Sequence, residues 1–150
     1  MSFIDTDLEL VLRYLDRLES DKKPLWGKMS AQRMIEHLSD TMRLAKGELD
    51  VILEIPEEKI DKARKFLYSE HPMPIDFKAS FASENMELRN ESIDLAIDEF
   101  TINWIEFENL FEENPELTTL HPNFGMLNYK DWIQVHSKHL THHLKQFELL

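Results

Sequence analysis

The segment KDWIQVHSKHLTHHLKQF, residues 130–147, decides how the rest of the chain is to be read. At a helical rotation of about 100° per residue counted from Trp132, Lys130, Gln134, Ser137, Lys138, Thr141, Lys145 and Glu148 share one polar arc. Trp132, Ile133, Val135, Leu140, Leu144 and Phe147 share the opposite one. The period is that of an amphipathic helix with its polar arc toward solvent. In the middle of the apolar side stand His136, His139 and His143, with Gln146 one turn beyond. His142 falls at the border and reads as a half-exposed residue. Asn128, followed three positions later by Asp131, is a capping-box start for this helix, which is expected to run to the last residue.

Three further helices are predicted upstream. Residues 6–20 carry Leu8, Val11, Leu12, Leu15 and Leu18 on one face before Lys22, Lys23 and Pro24. A second helix starts at the N-cap Ser30 and passes through Met34, Ile35, Leu38, Met42 and Ala45 to Gly47, a residue suited to a left-handed C-terminal cap. The third, residues 92–113, lines up Ile93, Ala96, Ile97, Phe100, Trp104, Phe107 and Phe111 and stops at Asn114-Pro115. More than forty residues separate the second and third helices, too many for a structureless loop in a compact domain. Residues 56–68 are expected to form a short helix with Ile60, Ala63 and Leu67 inward, and residues 72–89 to be extended and irregular. The expectation is one all-α domain over residues 1–150 with a long, partly irregular insert.

Composition narrows the chemistry. The 150 residues include no cysteine, so any metal must be held by nitrogen and oxygen. A formal net charge of −12 opposes phosphate backbones and argues against nucleic acid. Gly27, Gly47 and Gly125 stand too far apart for a nucleotide-cradling loop. The opening residues lack a signal-peptide pattern and no run approaches the ~20 apolar residues of a membrane span, so a cytoplasmic protein without a membrane partner is expected.

Buried imidazoles without partners would cost about 1 to 3 kcal/mol each. Two explanations follow: a structural cluster hydrogen-bonded to neighbouring helices, or a metal site in which His139 and His143, at i and i+4, aim at a shared ion. A third ligand would come from another helix, and His37, at the edge of the stripe formed by Met34, Leu38 and Thr41, qualifies. His136 is equally inward and is the rival. His71 and His121 each precede proline and read as parts of rigid turns, His121 at a pocket mouth.

The pattern His139-x-x-His142-His143-x-x-Gln146, with Met34-Ile35-Glu36-His37-Leu38 upstream, resembles the DinB-like superfamily, which includes YfiT-like proteins and S-transferases that use bacillithiol or mycothiol. The resemblance covers nearly the whole chain. Trp26-Gly27-Lys28-Met29, His121-Pro122-Asn123-Phe124-Gly125 and His143-Leu144-x-Gln146-Phe147 look like one branch of it. It implies a four-helix bundle with a metal ion on His37, His139 and His143, and its spacing prefers this set to His136; imidazole ligands suit a divalent ion such as zinc or nickel. A metal-dependent enzyme acting on a small molecule is expected: three imidazoles leave open coordination positions where a bound water could act as the nucleophile of a hydrolase, while the resemblance suggests an S-transferase using a low-molecular-weight thiol. No general base stands out among the 29 acidic residues. The alternative is a non-enzymatic, metal-stabilised bundle that binds a ligand or partner. For it, Ile102 and Ile105, which lie off the main stripe of their helix, would be exposed or would form a homodimer surface.

Overall fold

A computed structural model describes residues 2–75, 77, 79–81 and 86–150. The chain is mostly helical, and the N-caps foreseen at Ser30 and Asn128 start two of its helices. Helix α1 spans Leu8–Leu15, its N-terminus closed by Asp7, whose side chain accepts from the Leu10 amide. It is shorter than the stretch 6–20, because past Leu15 the chain proceeds as turns that still deliver Leu18 to the core. Helix α2 spans Ala31–Ala45 and starts where Ser30 Oγ accepts from Arg33 N. It ends in a Schellman turn: Gly47 N donates to Leu44 O and Glu48 N to Arg43 O. Gly47 takes φ +77° there, and a Cβ would approach Thr119 Cγ2 to 3.3 Å, so both backbone and space call for glycine.

The insert contains a 3₁₀ turn, Glu57–Lys59, running into helix α3, Ile60–Leu67. Helix α4 spans Ile93–Glu113 and is capped by Ser92; helix α5 spans Tyr129–Gln146 with the Asn128–Asp131 capping box complete. Instead of continuing to the last residue, the chain folds back after α5, with Leu149 N donating to Leu144 O. Residues 72–89, expected to be extended and irregular, contain no helix or strand where described; Asp76, Lys78 and residues 82–85 lie outside the described set.

One element departs from the all-α expectation. Strands β1, Thr119–His121, and β2, Gly125–Leu127, pair antiparallel with Thr119 opposite Leu127 and His121 opposite Gly125. His121 therefore ends a strand rather than sitting in a loop. Three residues per strand are too few for a period of two to show in sequence.

Helix α2 lies mainly along α4, α1 also packs on α4, and α5 joins α2, α3 and the hairpin. Their shared core includes Leu15, Met34, Leu38, Phe100, Phe107 and Trp132. Helix α2 buries more than its apolar stripe: Arg33, Glu36 and Asp40 are all sealed from solvent. Glu36 accepts from the backbone amides of Arg89 and Asn90, and Arg89 reaches Asp40 at 3.0 Å, so buried charge ties the chain entering α4 to α2.

The polar arc of α5 is not a solvent face throughout. Ile4 N donates to Thr141 Oγ1, and Ser137 Oγ donates to Ile4 O, so the N-terminal segment lies over that side. Lys138 is only 2% exposed: its ammonium sits 4.6 Å from the Phe3 ring and 4.4 Å from the Phe66 ring and donates to Ser69 O and His71 O. No helix among the described residues is long and apolar enough to cross a membrane.

Candidate metal centre

The packing of α2 against α5 brings His37 to His139 and His143. Nε2 of His139 lies 2.8 Å from Nε2 of His37 and 3.0 Å from Nε2 of His143, and one ligand atom from each residue falls within 4.8 Å of the others. His37 and His143 are buried, while His139 is partly open to the cleft above them. Burial lowers the His37 pKa to about 3, with Arg33 adding to the effect, and it holds His139 and His143 well below the usual histidine range. All three imidazoles are neutral at pH 7.

One tautomer follows from the hydrogen bonds. Gln146 Nε2 donates to Trp26 O at 3.0 Å, which turns Gln146 Oε1 toward His143. That oxygen can only accept, so His143 Nδ1, 2.7 Å away, carries the proton and His143 Nε2 presents a lone pair to the cluster. His139 Nε2 holds either one proton or one lone pair, and neither serves two close Nε2 neighbours well. His37 Nδ1 is buried and has no partner among the described residues. The three-histidine group could bind a metal ion.

The other histidines have separate places. His136 packs between Trp132, at 5.8 Å between centroids, and Phe107, at 4.8 Å, its Nε2 has no partner among the described residues, and it is not part of the three-residue group. His142 is half-buried, lines the cleft, lies 5.3 Å from Trp26 and hydrogen-bonds the Met73 backbone. His121 lines the same cleft. His71 is exposed, and its carbonyl is what Lys138 grips.

The cleft over the three imidazoles has a cavity volume of about 110 Å³, room for a small ligand only. Trp26, Met73, Phe77, Phe81 and Phe124 supply much of its wall. Sequence reasoning did not place these residues at the site, because they arrive on loops and on the hairpin and carry no period. Lys138 was missed because a helical wheel cannot show what covers a polar face. No family model matches the chain, and searches of curated proteins and of solved structures likewise find no match.

Proposed function

We propose that this chain is a metal-dependent enzyme acting on a small molecule, with His37, His139 and His143 holding one divalent cation, zinc or nickel. The reading follows the likeness to the DinB-like four-helix bundles. The observation that carries it is the convergence of three neutral imidazoles on one point at the floor of a cleft, in a proton arrangement that cannot satisfy them all. A cation facing three lone pairs removes that conflict. Imidazole donors suit zinc and nickel, and three protein ligands leave room for a substrate. Such an ion supplies Lewis acidity and lowers the pKa of a nucleophile, so the activity is that of a hydrolase or of a transferase using a low-molecular-weight thiol. The chain's own contribution is positional: Gln146 orients His143, and the aromatic wall excludes water from the floor.

Elemental analysis of protein purified without a histidine tag should find about one zinc or nickel ion per chain. Esters, amides and thiol–electrophile pairs are then the substrates to screen. A metal-free preparation that also takes up neither added zinc nor added nickel at neutral pH overturns the reading.

A non-enzymatic bundle with a protein partner is the second reading, and one feature favours it. On α4, Ile102 and Ile105 are 57% and 47% exposed, and Leu95 lies open on the same helix. A homodimer through that face would cover them.

A further inference from the structure

The cleft has a composition that selects a kind of ligand. Its described lining includes no aspartate, glutamate or arginine. The one charged group there, Lys138, has its ammonium engaged by Ser69 O, His71 O and the faces of Phe3 and Phe66. The walls are Trp26, Met73, Phe81 and Phe124, and at the mouth Ile75 and Phe77 are 62% and 43% exposed. An apolar rim leading to an apolar wall desolvates a hydrophobic ligand at little cost and a charged one at high cost.

Among the described residues, donors on cleft-lining side chains without a partner include the buried Trp26 Nε1–H and the His121 ring, and the second is fixed by a hydrogen bond at its other nitrogen. Asn123 N donates to His121 Nδ1 at 3.0 Å, so that nitrogen is the acceptor. Burial lowers the His121 pKa to about 3, and in the neutral ring the proton then resides on Nε2. Phe124 and Trp132 hold the ring at 4.6 Å and 5.5 Å between centroids. Among the described residues His121 Nε2–H has no partner. It is a fixed donor on a residue that lines the cleft.

We infer that the cleft takes an uncharged ligand with an aromatic or otherwise apolar body and a hydrogen-bond-accepting head, such as a carbonyl, received by His121 Nε2–H. His121 is thus a specificity-determining residue contributed by the hairpin. The inference rests on the metal-enzyme reading only in placing the reacting end of the ligand over His37, His139 and His143. The walls and His121 act with or without an ion.

The test titrates metal-stripped and zinc-loaded protein with acetophenone, toluene, benzoate and benzylammonium, followed by the His121 ring and Trp26 indole N–H signals in NMR. Acetophenone should shift both signals and bind the stripped protein at least about tenfold more tightly than either charged analogue. His121→Phe, which keeps a ring on Phe124 and Trp132, should weaken acetophenone about tenfold and leave toluene unchanged. His121→Gln, with an amide N–H at similar reach, should recover most of the loss. Benzoate binding as tightly as acetophenone would mean that Lys138 reads a carboxylate, and it overturns the inference. So does an equal loss of toluene and acetophenone in His121→Phe, or a stripped protein of native helicity that binds none of the probes. Metal uptake is scored separately: acetophenone binding by a chain that takes no metal supports the ligand class and sinks the metal centre, and the converse result does the reverse.

Discussion

The His136 ring is buried with no partner for Nε2 among the described residues, and burial changes how it titrates. Its pKa is pushed down to about 3 by burial, with His121 nearby adding to the effect, and the His121 pKa is lowered to about 3 by burial as well. In the unfolded chain both titrate near 6.5. Between about 6.5 and 3 the unfolded state therefore binds more protons, and stability falls as pH falls by about 1.4 kcal/mol per pH unit for each residue. Above pH 6.5 both rings are neutral in either state and their contribution to the slope vanishes. His136→Phe keeps a ring between Trp132 and Phe107 but cannot protonate, so urea melts of metal-free protein from pH 7 to 4 should lose about 1.4 kcal/mol per pH unit of slope. An unchanged slope would show that His136 is not the buried titrating group. His139 and His143 differ from His142 in the same residue-level way. The first two point into the cluster, whereas His142 packs on Trp26 and holds Met73. Replacing His139 or His143 with alanine should abolish metal content, and His142→Ala should leave it nearly intact; equal loss from all three would break the ligand assignment. His139 and His143 were legible in sequence because i and i+4 on an apolar face is a local pattern. The Gln146 contact with Trp26 O was not, since its partner is 120 residues away.

At the scale of elements, the helix starts at Ser30, Ser92 and Asn128 were legible, whereas the ends of α1 and α5 were not. Ser30, Ser92 and Asn128 each accept from the amide three positions on, and these chemical signals are local. The hairpin and the covering of the α5 polar arc were illegible because they depend on segments distant in sequence. Asp131 joins both kinds of information. Its carboxylate closes the capping box of α5, and it also binds Arg64 at 2.9 Å and Tyr68 Oη at 2.6 Å, which tethers α3. Partial desolvation of the Tyr68 phenol, with Asp131 as its acceptor, raises its pKa to about 12, so this tether keeps its proton at any physiological pH. Asp131→Ala removes a cap worth about 1 kcal/mol and charge-assisted bonds worth about 1.5 to 3 kcal/mol, the Arg64 share being discounted because that side chain is 35% exposed. The expected loss is about 2 to 3 kcal/mol in chemical denaturation. Amide exchange should accelerate in α3 more than in α2. A uniform change across the molecule would show that Asp131 acts only through the α5 cap.

For the whole molecule the question is whether the fold depends on the ion. Helices α1, α2, α4 and α5 bury a continuous core in which Leu15, Met34, Ile35, Leu38, Phe100, Phe107 and Trp132 are almost wholly removed from water. A fully buried side chain of this size contributes about 1.5 to 3 kcal/mol, so the apolar core can support the fold in the way that a zinc finger's small core cannot. The imidazole cluster adds to that core between α2 and α5, beside the buried Arg33–Glu36–Asp40 network of α2. Removing a bound ion should therefore cost the linkage free energy of binding and little else. Excess chelator at neutral pH should leave helical circular dichroism intact and lower Tm modestly, and adding back zinc or nickel should restore it in proportion to the logarithm of free metal. Because binding requires neutral imidazoles, the restoring effect should weaken as pH drops into the acid range. Complete loss of helicity on chelation would make the ion part of the fold, and it would remove the main reason for reading the three histidines as a working site with space for a substrate.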